Sequence, residues 1–365
     1  MLFGGEAGGT DTLSYRNLTN GIGVNVVING AVSGGGGADT VSNFENLAGT
    51  NYNDTLTGDG NNNIIEGGDG DGDDTMVGGL GTDTLTYISA TAGIILELGI
   101  TSVQNTFGAG LDTVSGFENL IGSNYNDSLR GDSGNNVIYG LGGNDMIDGG
   151  AGDDTMDGGD GIDTVSYRYA SSAVTVDLSV LVAQNTGGAG TDTIANFENI
   201  IGSNYNDTLT GNAGNNELTG GDGKDDLFGG DGDDLLNIDS SDLANTNSQN
   251  GGAGNDTLTF AAGMSVDTNV VENSVTNIEV LDLSVNGNHD LTNIRYTDIQ
   301  AVTDADNDFW ILGDSADNVT FQGADWSQSA GTIDMVVNGA MHTFYTYTNS
   351  NDATIQVYVE SAILL

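Results

Sequence analysis

Residues 122–166 read GSNYNDSLR, GDSGNNVIY, GLGGNDMID, GGAGDDTMD and GGDGIDTVS, a run of nonapeptides in one register. Further copies fall at 34–42, 49–57, 58–66, 78–86, 107–115, 187–195, 202–237 and 251–259. Residues 6–14 and 69–77 fit too, the latter after an extra Gly67-Gly68. Of about 18 copies, the sixth position is Asp in about 15, and the fourth is Gly in about 14. Asn63, Asn136 and Asn216 take the sixth position elsewhere, and the eighth is apolar throughout, from Leu13 to Leu258. A longer period of about 72–80 residues overlies this one. DTLSY (11–15) returns as DTLTY (83–87) and DTVSY (163–167). NFENL (43–47) returns as GFENL (116–120) and NFENI (196–200). NYND recurs at 51–54, 124–127 and 204–207.

The first six residues of each unit are too rich in Gly and Asp for regular structure, and Gly serves where φ is positive or backbones approach closely. The last three form a short strand with one inward side chain. Turn, strand, turn and strand return the chain to its start, so two units close a flattened coil of about 18 residues. Coils stacked in parallel at the ~4.8 Å strand spacing bring the eighth-position residues into two apolar stripes and the turns into two edge columns.

Each column would hold carboxylates a few ångströms apart, which is strongly repulsive without a cation. The whole chain shares this problem: 53 acidic residues stand against 5 basic ones, a formal charge of −48. That balance excludes nucleic acid and anionic membranes as partners, since nothing here could neutralise phosphates. Disorder is excluded by the fixed apolar positions. Calcium fits the columns, taking 6–8 oxygens from carboxylates and carbonyls in flexible geometry, whereas magnesium prefers a rigid octahedron. Zinc is disfavoured, with no Cys and only His289 and His342.

The pattern G-G-x-G-x-D-x-U-x resembles the RTX (repeat-in-toxin) calcium-binding repeat, over roughly residues 4–259. The resemblance implies an all-β fold, a parallel β-roll or β-helix solenoid with wider interrupting coils. It implies several Ca2+ ions, each held between turns of successive coils by sixth-position aspartates and backbone carbonyls. The ligand role then falls on Asp11, Asp39, Asp54, Asp74, Asp83, Asp112, Asp127, Asp145, Asp154, Asp163, Asp192, Asp207, Asp225, Asp234 and Asp256. Tyr52, Tyr125 and Tyr205 stand where Gly is usual, and Asn63, Asn136 and Asn216 replace Asp, so those coils are expected to bind weakly or hold no ion. The FEN segments read as metal-free turns whose Phe44, Phe117 and Phe197 plug the core. Residues 87–106 and 167–186 read as wider coils or small flaps, GIGVNVVI (21–28) as their equivalent near the start, and 238–250 as an inserted loop.

The nonapeptides stop near 259, after clusters at 34–86, 107–166 and 187–259. Residues 260–365 are expected to form a C-terminal β cap, from runs such as IEVLDLSV (278–285), FWILG (309–313), NVTFQG (318–323), HTFYTYT (342–348) and TIQVYVE (354–360). Asn-Gly at 286–287 and 338–339 suggests hairpins. Trp310, Trp326, Tyr345, Tyr347 and Tyr358 supply a core, and a repeat array needs such an atypical end. DADND (304–308) resembles half of an EF-hand loop but lacks its Gly and final Glu. The closing VESAILL resembles the uncleaved C-terminal signal of type I secretion substrates. Residues 1–10 lack the features of a cleaved signal peptide.

The expected function is that of a calcium-binding RTX module which folds on export into high extracellular calcium. Its partners are then calcium ions, the type I secretion machinery and an unknown surface ligand. The region 260–365 is similar to that of large type I-secreted RTX adhesins, which points to a secreted or cell-surface protein. The other reading is an RTX tail of a secreted protease or lipase whose catalytic domain lies upstream of Met1. The chain itself reads as no enzyme: it has neither HExxH nor GxSxG.

Overall fold

The computed structural model describes residues 2–3, 9–18, 21–35, 37–243, 248–261, 265–267, 274–284, 289–294, 303, 308–315, 317–322, 326–337, 340–350 and 356–363. The fold is all-β and built from stacked parallel coils, as the nine-residue period requires. Two compact units are present, residues 1–167 with 180–197, and residues 168–179 with 198–365.

In the first unit, one sheet runs Thr12–Ser14, Asn46–Ala48, Ile64–Glu66, Thr84–Thr86, Asn119–Ile121, Val137–Gly142, Thr155–Asp160, Thr191–Ala195 and Gln184–Asn185. All but the last pairing are parallel. Their register stacks eighth-position residues and FEN-segment leucines one above another: Leu47 on Ile65, Leu85, Leu120, Ile138, Met156 and Ile194. All are buried. A second stripe holds Val26, Leu56, Met76 and Val114, and a third Leu129, Ile147 and Val165. The core is therefore one side chain wide, and each residue in it touches its own coil and the two beside it. Replacing Ile138 by Ala opens a cavity that coils above and below cannot collapse into. It is expected to cost about 2–5 kcal/mol, read from equilibrium denaturation of the calcium-saturated protein.

The insertions at 87–106 and 167–186 are wider coils, each of which also opens a new ladder. Ile95–Glu97 founds a new ladder, on which Ser128–Arg130, Met146–Asp148 and Thr164–Ser166 are laid. The older ladder ends on Leu111–Ser115, whose outer edge takes the two-residue strand Gln104–Asn105 antiparallel. In the second unit, Thr175–Asp177 founds a ladder continued by Thr208–Thr210, Asp226–Asp231, Gln249–Ala253 and Val275–Thr276. Each insertion thus starts a fresh stack of strands.

Val24–Val27 lies parallel to Thr55–Thr57 as a coil requires, but the chain after it departs from the expected parallel coil. Val24–Val27, Ala31–Gly34 and Asp39–Ser42 form an antiparallel ribbon. The turn between the first two is Asn29-Gly30, with Asn29 at φ 56°. An Asn-Gly pair between alternating apolar residues favours such a hairpin. Here it displaces the nonapeptide geometry read at 34–42. That puts Asp39 on an antiparallel strand opposite Val32 rather than in a stacked turn. Its side chain lies outside the described residues.

In the second unit, Asn199–Ile201, Glu217–Thr219, Leu235–Ile238, Thr257–Phe260, Val280–Asp282, Asp308–Leu312 and Gln356–Glu360 form one parallel ladder. The ladder passes from the nonapeptides into the C-terminal region without a break in register. Beyond Gln356–Glu360 it turns antiparallel, adding Ala340–Asn349 and then Trp326–Val337, whose residues 327–336 are exposed. Trp310 stacks on Tyr358 (3.9 Å between ring centroids) and meets Phe344 edge-on (5.1 Å). Trp326 packs instead on Phe321, which stacks on Tyr347. The Asn-Gly pairs at 286–287 and 338–339, and DADND but for the strand backbone of Asp308, lie outside the described residues. Val337 faces Ala340 across the second pair.

Candidate metal centre

The turns stack as the strands do. The backbone N–H of Asp127 donates to Oδ1 of Asp145 (2.8 Å), and the N–H of Asp145 to Oδ1 of Asp163 (2.7 Å), each partner 18 residues on. This one bond repeats along every column. Asp54 donates to Asp74 and Asp74 to Asp112. Asn63 donates to Asp83, Asn136 to Asp154, and Asp154 to Asp192. In the second unit Asp207 donates to Asp225, Asn216 to Asp234, and Asp234 to Asp256. Of the sequence-predicted aspartates, all but Asp11 and Asp39 therefore stand in a column of like residues. The N–H of Asp11 reaches Glu45 Oε2.

Glycine makes these approaches possible. A Cβ on Gly140 would lie 2.2 Å from Asp145 Oδ2 and 2.5 Å from the Gly158 carbonyl oxygen. On Gly229 it would lie 2.2 Å from Asp234 Oδ2 and 2.3 Å from the Gly251 carbonyl. Carboxylate and carbonyl oxygens of neighbouring coils are thus brought together where any side chain would hold them apart.

The columns are not uniform along their length. At the NYND ends, Asp127 accepts from the N–H and hydroxyl of Ser123 and from the N–H of Ile94. Asp54 and Asp207 are held in the same way by Thr50 and Ser203. At the opposite ends, Asp112 Oδ2 accepts from the hydroxyls of Tyr87 and Thr106, and Asp192 Oδ2 from those of Tyr167 and Thr186. These carboxylates are satisfied by the protein. Asp83, Asp145, Asp154, Asp225, Asp234 and Asp256, inside the columns, are not: each is buried and its Oδ2 has no hydrogen-bond partner. Burial, with the charge of neighbouring carboxylates, lifts Asp145, Asp154, Asp225 and Asp256 to about 7. The same causes lift Asp234 to about 6 and Asp74 to about 8.

A buried carboxylate oxygen without a donor needs a proton or a cation. Among the described residues no three acidic or histidine side chains converge on one point. The donor set is therefore carboxylates from successive coils together with turn carbonyls, all hard oxygens. That set fits calcium. The asparagines do not fit so well. Asn136 spends its amide on the Glu118 carbonyl, and Asn216 on that of Glu198, so neither places a charge at the sixth position.

Several acidic residues in the same positions escaped the sequence reading, Glu45 beside Asp11 among them. Asp242 lies in the supposed loop, is fully buried, and accepts the N–H of Asp225 (2.7 Å). Asp317 accepts the N–H of His289 (2.8 Å). Both close a turn one residue short, in DSSD (239–242) and DSAD (314–317), where the first Asp donates its N–H to the last. That repeated tetrapeptide was the available signal. Glu118 and Glu279 stand where a column Asp is due, accepting from Asp83 and Asp256. Phe117 and Phe197 are buried as expected, and Phe44 is half-buried.

No curated protein matches this sequence. A family model does, described as the RTX calcium-binding nonapeptide repeat (4 copies), over residues 42–71, 49–85, 112–147, 131–165, 201–236 and 250–263. These segments hold all the unpartnered column aspartates, and repeats of this kind are structural, calcium-binding units that take several ions. Across these segments the chain carries RTX calcium-binding nonapeptide repeats.

Proposed function

We propose that the chain is a calcium-triggered folding module of a type I-secreted, adhesin-like surface protein, with residues 260–365 as its cap and export end. One observation carries the calcium trigger: buried interior carboxylates whose second oxygen meets no donor. Inside a cell, where free calcium is scarce, these groups oppose folding and leave an extended chain suited to a narrow exporter. Outside, calcium at the 10⁻⁴–10⁻³ M range typical of extracellular modules fills the columns and the coils close. The column aspartates Asp54, Asp74, Asp83, Asp112, Asp127, Asp145, Asp154, Asp163, Asp192, Asp207, Asp225, Asp234 and Asp256 then divide into interior ligands and hydroxyl-held ends. The continuous ladder from Thr257–Phe260 to Gln356–Glu360 supports a capping role, since it covers the last nonapeptide coil. The surface role rests on the sequence reading of residues 260–365 alone.

Calcium titration of single variants separates interior from end. Asp145→Asn and Asp234→Asn are expected to lower the number of bound ions in calorimetry and to raise the calcium midpoint several-fold. Asp192→Asn, whose partner hydroxyls can rotate to serve an amide, is expected to change the ion count little. Equal effects at all three positions contradict the assignment. Export is tested separately, by co-expressing the chain with a type I exporter. Retention in the cell with an intact C-terminus, and no release into the medium, contradicts that half of the proposal.

A further inference from the structure

Asn43, Gly116, Asn196 and Asn277 share a backbone conformation, with φ of 58°, 67°, 56° and 52°. Each is followed by Phe or Ile and then by Glu: Asn43-Phe44-Glu45, Gly116-Phe117-Glu118, Asn196-Phe197-Glu198 and Asn277-Ile278-Glu279. Asn and Gly tolerate this left-handed region better than other residues. Glu, longer than Asp by one methylene, reaches from this turn to the same place. Glu45, Glu118 and Glu279 accept the N–H of Asp11, Asp83 and Asp256 at 2.8, 2.8 and 2.9 Å, as Asp145 does for Asp127.

At two of these turns the facing aspartate is fully buried and its Oδ2 has no partner, namely Asp83 and Asp256. In each case the carbonyl of the left-handed residue and that oxygen border the same glycine. A Cβ on Gly78 would lie 1.9 Å from the Gly116 carbonyl oxygen and 2.9 Å from Asp83 Oδ2. A Cβ on Gly251 would lie 2.1 Å from the Asn277 carbonyl oxygen and 2.4 Å from Asp256 Oδ2. Each place thus gathers two carboxylates and a carbonyl, acceptors only, in a buried setting. Such a set is repulsive by itself and is a calcium donor set once a cation enters.

We propose that Glu118 and Glu279 are calcium ligands, so that each turn completes a site with the aspartate of the preceding coil and the carbonyl of Gly116 or Asn277. This rests on the reading that the columns bind calcium. The turns that look like interruptions of the repeat are then the closing sites of its columns. Their ion is held by one glutamate and one aspartate rather than by two aspartates.

The test is calcium stoichiometry by equilibrium dialysis with radiolabelled calcium, comparing the wild-type chain with Glu118→Gln, Glu279→Gln and the double variant. Glutamine still accepts the aspartate N–H through its amide oxygen, so the hydrogen bond survives and the ligating charge is lost. One ion fewer per substituted glutamate is the expected result. An unchanged ion count and affinity overturns the proposal. A wild-type chain that binds no calcium at all fails the underlying reading instead, so the two outcomes are distinct. Should a variant not regain the wild-type circular dichroism at saturating calcium, the wild type carries the test. With 13C-labelled glutamate, its glutamate carboxylate infrared band is expected to shift to a calcium-bound frequency on saturation, and an unmoved band overturns the proposal.

Discussion

Stripped of calcium by a chelator, the chain is expected to lose most of its β-sheet circular dichroism and to regain it steeply as calcium approaches 10⁻⁴–10⁻³ M. The size of the effect follows from linkage. At ten times its dissociation constant, one site stabilises the folded state by about 1.4 kcal/mol. On the order of ten such sites would supply about 14 kcal/mol, the scale of a whole domain's stability. The apolar core is one side chain wide, as in the stripe from Leu47 to Ile194, and has little surplus with which to offset the column charges. The transition is expected to be cooperative, because each interior carboxylate faces the coil on either side. Magnesium at equal concentration is expected to do much less, since it gives up its waters reluctantly. Superimposable spectra in chelator and in calcium would defeat both the linkage argument and the proposed export mechanism.

Acidification is expected to act in opposite directions on the calcium-free and calcium-loaded chains. Asp74, Asp145, Asp154, Asp225 and Asp256 are raised from 3.8 to about 7 or 8, and Asp112, Asp234 and Asp242 to about 6. A carboxyl raised on folding binds its proton more tightly in the folded state. Below about pH 4 both states are protonated and the shift costs nothing. Between 3.8 and the folded value only the folded chain holds the proton, and stability falls as pH rises. Above pH 8 the whole penalty is present, at about 1.4 kcal/mol for each unit of displacement per group. The calcium-free chain is therefore expected to gain β structure as pH drops from 8 to 5. The loaded chain is expected to release calcium over the same range, because protons compete for the same oxygens. Circular dichroism with and without chelator, and a calcium electrode, read the two trends. Parallel trends in both states would contradict the assignment of these carboxylates to the ion columns.

The nine-residue period made the parallel stacking and the apolar stripes legible, because one apolar residue per unit leaves a coil only one way to bury it. The aspartate columns were legible for the same reason wherever coils keep a constant length. They became hard to read where coils lengthen, as between Asp74 and Asp112 or Asp154 and Asp192, 38 residues apart. Which residues stack there depends on how an insertion folds, and Tyr87 and Tyr167 reach the ends of their columns only once it has. Asp242 and Asp317 were hidden by turns one residue short. The ribbon of residues 24–42 was misread because a consensus nonapeptide overlapped a hairpin whose Asn29-Gly30 turn decides locally. The order of the cap strands, with Trp326–Val337 outermost, was not legible, since it has no repeat to announce it.

That cap has an order of assembly written into it. Among the described residues its outermost ribbon, Trp326–Val337 with Ala340–Asn349, is not hydrogen-bonded as a strand to Asn318–Phe321, which precedes it in sequence and meets it only through side chains such as Phe321. It lies against Gln356–Glu360, which is itself laid on Asp308–Leu312. The last described strand is thus the keystone between the coil and the ribbon. A chain emerging with its C-terminus foremost presents that keystone first, and the ribbon can dock as soon as it follows. A chain lacking residues 356–360 loses the strand to which the ribbon is hydrogen-bonded, however complete its coils.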